Sequence, residues 1–411
     1  MAAPRSDGGA VGGERIGWWL MGITNGELKR CLHIGKVDPD ELLELLSHLV
    51  GECQSLDERR LIFPSPRSGP ARIILGFNAG GRVTDATVGE ALTEEDLAEI
   101  EAQIRRQLLA PTQPRVVRKI LYSTQPVRGR WHFKNTLVLR SLPEGNPEVP
   151  WLSDTHPLIF ECVYPGVGDV DSPVNYSRGE RFAGTWMSIL ALVAAHLVLP
   201  EPGPARMMWA TSVMGRSAPS SQWVRAGYEP NVWDEQGTLG EIAVTDEHTG
   251  VARCESPLHL PTYLAPCLQA FDSLGATDRR SLLHAAHWVR HAAQAGQSPS
   301  AAYTAVVQSV EVLVKGHEGE SSSKAFRDFI DRYAPATDKA MAKRHRDLYR
   351  IRSLISHGER LFVSDRDILG MMMPNPQRWH EELLLAHATA VCRTAIINWL
   401  LAAGAQTQAA G

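Results

Sequence analysis

The chain has 411 residues, longer than one hydrophobic core usually supports, and its 44% apolar and 21% charged residues are ordinary for a soluble globular protein, so two or three domains are expected. A formal net charge of −4 argues against a protein that coats nucleic acid along its whole length, while leaving room for a local basic groove. Six scattered cysteines (Cys31, Cys53, Cys162, Cys254, Cys267 and Cys392) form no C-x-x-C pair, which suggests neither a disulfide framework nor a structural zinc site and fits a reducing cytoplasm.

Residues 1–14 are rich in Gly, Ala and Pro and lack the apolar stretch of a signal peptide, so a disordered tail is expected there. Asp38-Pro39 then opens a periodic run through Leu42, Leu45, Leu46 and Leu49 to Val50, with Asp as cap and Pro at the first helical position. Residues 72–78 read as a strand ending in a Gly80-Gly81 turn, and Thr93 with Asp96 opens a second helix to about Ala110. The β-branched and aromatic segments 115–122, 131–140 and 157–164 read as strands. The apolar run Phe182–Leu199 carries Thr185, Ser188 and His196 and has no basic flank, so it reads as a buried helix, and no membrane association is expected. Residues 200–266, dense in Pro, Gly and Ser, show too little periodicity to assign. The fold class expected for residues 15–270 is therefore α+β, with no role evident from the residues.

From Thr277 onward strand signals vanish and helices follow one another, broken at Gln297-Ser298-Pro299, at residues 316–323, at Pro335 and at Pro374 to Pro376. An all-α bundle over residues 278–404 is expected, followed by a short disordered tail at 405–411. Its last helix, Trp379 to Leu401, carries Leu383, Leu384, Ala388, Val391, Ala395, Ile396 and Trp399 at helical spacing and is a candidate contributor to dimerisation.

The segment Lys343–Arg360 carries the chemistry. At about 100° per residue, Leu348, Ile351, Leu354 and Ile355 share one face, and Tyr349, Arg352, Ser353, Ser356 and His357 share the opposite stripe. Gly358 marks a helix stop, which places His357 at the negative end of the helix dipole, where a protonated imidazole is favoured. Arg352 offers a permanently charged fork suited to a phosphate. Together the two supply a proton carrier and a charge clamp, the minimum for RNA cleavage by the neighbouring 2′-OH. Residues 341–360 hold six Lys or Arg against two acids, plus His345, and Lys343, Arg344, Arg346 and Arg350 are the candidate RNA-binding positions. On composition alone, such a run is also what an ordinary solvated helix face looks like.

Other motifs carry less. His284, His287 and His291 share a helical face, but neither an H-E-x-x-H core nor a nearby carboxylate completes a ligand shell, and the spacing is common in an Ala-rich helix. Glu311 shares a polar stripe with Thr304, Gln308 and Lys315, opposite Tyr303, Val306, Val307, Val310 and Val314. It reads either as a solvent-facing acid or as an ion-pair partner that orients Arg352. GFNAGGR and GVGDV lack the endings of phosphate-binding loops, and Met371, Met372 and Met373 read as gap-filling side chains.

The run DLYRIRSLISHGERLFVSD resembles the signature helix of the HEPN superfamily, particularly its Apea-like branch, in which a Tyr, an Arg-Ser and a His-Gly recur in this order. RRSLLHAAHWVRHAAQ resembles that branch's first helix, and SPSAAYTAVVQSVEVLVKG its second, with Glu311 at the position of a family acid. The resemblance covers roughly 125 residues. It implies a helical bundle that pairs with a second copy, so that two Arg-x4-His motifs face one cleft and cut RNA without a metal or other cofactor. Carried over, Arg352 and His357 are catalytic, and Ser353, Tyr349, Ser356 and Glu311 are supporting; Ser353 takes a polar position often held by Asn in nucleolytic members. The expected function is a cytoplasmic endoribonuclease acting in stress or phage defence as a toxin-like effector. Its partners would be RNA, a second copy through the C-terminal bundle, and a phage or stress trigger at the N-terminal region. The alternatives are a non-catalytic bundle for dimerisation or for nucleotide or partner binding, and a metal enzyme built on the 284–291 histidines.

Overall fold

The computed structural model describes residues 28–31, 37–63, 73–89, 92–123, 125–141, 156–167, 172–194, 241–245, 257–293, 298–314, 321–366 and 376–410. An N-terminal region with antiparallel sheets precedes a C-terminal helical region, as the composition of the two halves suggested. The chain divides into two compact units that alternate along it: residues 1–115 with 164–181, and residues 116–163 with 182–411. The boundaries therefore differ from a simple cut between 270 and 278. Strand pairing brings distant segments together, and linear texture does not report that.

In the first unit, strands β1 (Leu28–Cys31), β2 (Gln54–Asp57), β3 (Arg60–Phe63), β4 (Ile73–Phe77) and β5 (Val83–Gly89) form one sheet in the order β1-β5-β4-β3-β2, and each described pairing is antiparallel. Helix α1 (Pro39–Val50) starts where Asp38 accepts the N–H groups of Asp40 and Glu41, and helix α2 (Glu94–Gln107) starts in a reciprocal Thr93–Asp96 capping box. Leu42, Leu45 and Leu46 of α1 and Ile100 and Ile104 of α2 share a core with Phe63, Ile73, Leu75, Ala86 and Val88 of the sheet. Only β4 of these five strands was legible beforehand. The charged β2–β3 hairpin has no alternating apolar pattern to betray it.

Strands β6 (Gln113–Ser123), β7 (Arg130–Phe133), β8 (Leu137–Ser141) and β9 (His156–Gly166) form a second sheet in the order β6-β9-β8-β7. The single strand expected over 131–140 is instead a hairpin. Lys134 adopts a left-handed φ of 51°, and the Thr136 N–H returns to the Phe133 carbonyl, so the chain reverses. Neither Gly nor Pro announces this turn. Helix α3 (Pro173–Val193) contains most of the apolar run expected to be a buried helix but begins nine residues before Phe182, and its Trp186 packs against Phe133 and Phe271. A short parallel pair, β10 (Val244–Thr245) with β11 (Leu260–Pro261), lies in the stretch that had no assignment.

The helical region comprises α4 (Leu264–Ser273), α5 (Ala276–Ala292), α6 (Pro299–Glu311), α7 (Ser322–Tyr333), α8 (Lys339–Ser356), the short α9 (Val363–Arg366) and α10 (Pro376–Ala410). Helix α6 is the hub: it packs against α5, α8, α9 and α10, and Ala302, Tyr303, Ala305, Val306, Val307 and Val310 are buried. The bundle begins earlier than Thr277, because α4 packs on α10 so closely that a Cβ at Gly404 would lie 2.5 Å from that of Ala270. The tail expected at 405–411 is also corrected, since α10 continues to Ala410. Residues 376–407 of α10 are long and apolar enough to cross a membrane by length and composition. Among the residues that make the helix apolar, Ala388, Val391, Cys392, Ala395, Ile396 and Leu400 are buried in the unit, as in a core helix.

Candidate functional site on helix α8

Asp338 caps α8 by accepting the Met341 N–H at 2.8 Å, so the helix starts one turn before Lys343. Leu348 and Ile351 are buried and Leu354 and Ile355 half-buried, which makes that face the core side; Tyr349, Arg352 and Ser353 are half-buried along the other side. The helix ends as its sequence dictates. His357 is the C-terminal cap, its N–H bonded to the Ser353 carbonyl at 3.0 Å, and Gly358 turns the chain with a φ of +74° that L side chains rarely adopt.

Arg352 is held from a neighbouring helix. Its Nη2 donates to Glu311 Oε2 at 2.7 Å, linking α8 to the last turn of α6, with the two side chains 22% and 21% exposed. The guanidinium carbon lies 5.9 Å from the centroid of the Tyr349 ring, which itself packs on Phe326 at 5.4 Å. Burial pushes the Glu311 carboxyl above its ordinary value, and the adjacent guanidinium offsets only part of that rise. The Arg352 Nε is buried without a hydrogen-bond partner, so the fork is only partly saturated. Beneath it, the fully buried Tyr303 of α6 donates its hydroxyl to the carbonyl of Leu348 at 3.3 Å. That carbonyl belongs to the residue one turn before Arg352, so Tyr303 fixes the height of α8 on the bundle.

The structure thus brings Arg352, Tyr349 and Glu311 together. Ser356 and His357 are exposed, and the His357 imidazole has no side-chain partner among the described residues. Lys343, Arg344, Arg346 and Arg350 are exposed, and Arg350 is shared with Asp347 at 3.1 Å. His345 is a correction: counted from sequence among the cationic groups, it is 4% exposed and stacks on His387 of α10 with ring centroids 5.7 Å apart. Both of its ring nitrogens lack partners, and burial holds it below the ordinary histidine range despite Asp331. Its place between Leu348 and the start of α8 on the same face could have flagged it. His387 was invisible because its significance depends entirely on its neighbour.

On α5, His284 and His287 are exposed, and His287 and His291 stack at 6.3 Å beside Trp288. No group of three or more His, Cys, Asp or Glu arranged for a metal occurs among the described residues. In GFNAGGR, the Asn78 carboxamide oxygen accepts the N–H groups of Gly80 and Arg82, which closes a turn. Lys315, Met371, Met372, Met373 and the end of GVGDV lie outside the described residues.

No family model, curated protein or solved structure matches this chain.

Proposed function

We propose that the helical region is a HEPN-type bundle and that α8 carries a metal-independent endoribonuclease site, with Arg352 and His357 as its reactive pair. The observation that carries this reading is the arrangement at the end of α8. An exposed imidazole stands on the C-cap residue at the negative end of the helix, and a partly exposed guanidinium, held by Glu311 through one nitrogen, is fixed about one and a half turns earlier. Exposed Lys343, Arg344, Arg346 and Arg350 on the same helix supply the field that draws in a polyanion. In the reaction His357 takes the proton of the 2′-OH, the oxygen attacks the adjacent phosphorus, and Arg352 stabilises the charge that develops on the phosphoryl oxygens. The 5′-oxygen departs with a proton returned by an imidazolium, leaving a 2′,3′-cyclic phosphate and a 5′-hydroxyl.

Five residues of helix separate Arg352 and His357 by about 140° in azimuth, so one copy cannot easily close both around a single phosphate. The active unit is therefore a homodimer through the helical region, each copy lending a residue across a shared cleft. The protein works in the cytoplasm as a stress or phage-defence effector, with the N-terminal region receiving the trigger. The test is RNA degradation by the purified full-length protein in EDTA, with wild type beside His357→Ala. Cleavage that persists in EDTA and is lost in the variant supports the reading, as do cyclic-phosphate ends and inert DNA. Products with 3′-hydroxyl ends would overturn the mechanism. Mixing Arg352→Ala with His357→Ala protein should restore part of the activity, and a strictly monomeric, fully active protein would refute the shared cleft.

A second reading rests on the Glu311–Arg352 pair, which already occupies one face of the fork. In it the bundle is a non-catalytic module for dimerisation or for nucleotide or partner binding, and wild-type protein leaves RNA intact.

A further inference from the structure

We infer that Glu381 is a positioning residue for His357, acting through the backbone that leaves the helix end; this rests on the reading of His357 as the proton carrier. The imidazole itself is held by no side chain among the described residues. Its place is set by two things: its N–H bond back to Ser353, and the course of the chain after Gly358.

That course is anchored with unusual thoroughness for a connecting segment. The N–H groups of Glu359 and Arg360 both return to the carbonyl of Leu354, at 2.9 and 3.2 Å. Phe362 is fully buried with its ring edge-on to Tyr303, and its N–H donates to Ser300 Oγ at 2.8 Å. Asp365 accepts the Ser300 N–H at 3.1 Å. The carboxylate of Glu381, from α10, then accepts the Val363 N–H at 2.8 Å on one oxygen, and the Ser364 N–H at 3.4 Å and hydroxyl at 3.2 Å on the other.

The chemistry of Glu381 is what marks it. It is only 6% exposed, and no ion pair neutralises it among the described residues; all of its hydrogen bonds go to residues 363 and 364. A buried carboxylate with no counter-cation is costly unless donors satisfy its oxygens, and here the donors all come from residues 363 and 364. What the carboxylate does hold is the first turn of α9, whose free N–H groups would otherwise be orphaned in a partly buried place. With the chain clamped at Phe362, Val363 and Ser364, the short path from Gly358 cannot drift. The backbone of His357 at the other end of that path is thereby held in place, which sets where its imidazole is carried.

The experiment compares full-length wild type, Glu381→Ala, Glu381→Gln and the milder Ser364→Ala. Glu381→Ala should lower kcat for RNA cleavage by about ten- to a hundredfold with KM little changed, because binding charges on α8 are untouched. Glu381→Gln, which keeps one acceptor oxygen, should recover part of that loss, and Ser364→Ala should lose the least. In parallel, the His357 ring resonances, assigned with His357→Gln, should shift and broaden in Glu381→Ala. An unchanged His357 signal and kcat, alongside fast exchange of the Val363 and Ser364 amides, would show that the clamp acts only locally and would overturn the inference. So would a loss confined to KM. If wild type cleaves no RNA, the functional reading fails, while the His357 resonances still decide whether Glu381 positions that ring.

Discussion

Both units set a carboxylate against arginine, and they do so to different degrees of burial and completion. In the first unit, Glu41 of α1 meets Arg178 and Arg181 of α3, and Arg178 goes on to donate to the Pro165 carbonyl at 2.8 Å. Asp38 joins Arg181 at 2.9 Å; burial raises its carboxyl, but Arg181 and the backbone N–H groups of Glu41 and Asp40 more than offset this and hold it below its usual value. In the helical region, Glu311 meets only Arg352 among the described residues, through one guanidinium nitrogen, and its carboxyl stays above its usual value. A saturated network has no capacity left for a ligand and acts as a brace. A pair joined through a single guanidinium nitrogen, its arginine still 22% exposed, is the kind a phosphate could complete from its open side. The second unit's own brace, Glu161 between Arg118 and Arg140, shows that this difference belongs to the site rather than to the unit.

The largest effect should come from removing the two proposed reactive groups. His357→Ala and Arg352→Ala should each lower RNA cleavage by roughly 10²- to 10⁴-fold in a single-turnover assay. Retention of most of the activity in either variant would place that residue outside the chemistry.

Breaking the saturated network should show in stability instead. Glu41→Ala leaves Arg178 buried without its partner and should cost about 3 to 5 kcal/mol in the unfolding transition that reports the first unit. A denaturant midpoint within error of wild type would mean that the network is not a brace.

For Arg352→Ala the comparison sharpens, because the substitution leaves the half-buried Glu311 without its ion-pair partner. A stability loss of about 1 to 3 kcal/mol is expected, and adding Glu311→Gln should recover much of it. Non-recovery would show that the loss is one of packing against Tyr349. By contrast His357→Ala, at an exposed cap, should shift stability by no more than about 0.5 kcal/mol.

The smallest effect is one of pH. His345 and His387 are both held below the ordinary histidine range: burial is the main cause in each, Asp331 opposes it for His345, and His345 and Arg344 add to it for His387. Groups whose folded value is depressed bind protons more readily when unfolded. Their neutral forms therefore contribute fully above about pH 6.5, and that stability is lost as pH falls from there through the folded values. Urea midpoints at about pH 7.5 and about pH 5 should diverge less in His387→Gln than in wild type; equal divergence would rule the pair out as the source.

Along the chain, the features legible in advance were those written by neighbours a few residues apart. The Asp38-Pro39 start, the Thr93–Asp96 capping box, the Leu348–Ile351 face of α8 and the Gly358 stop all follow from local steric and hydrogen-bonding rules, so the linear pattern determined them. The apolar hub α6 was legible for the same reason. What only the tertiary structure decided is which distant partner each polar group meets. Examples are the choice of Arg352 over solvent for Glu311, which the sequence left open, His345 against His387, the grip of Glu381 on Val363 and Ser364, and the reversal at Lys134 that splits one expected strand into two. Period and capping signals decay within a turn or two of chain. Whether a buried charge finds a partner depends on packing between helices, which no local pattern encodes.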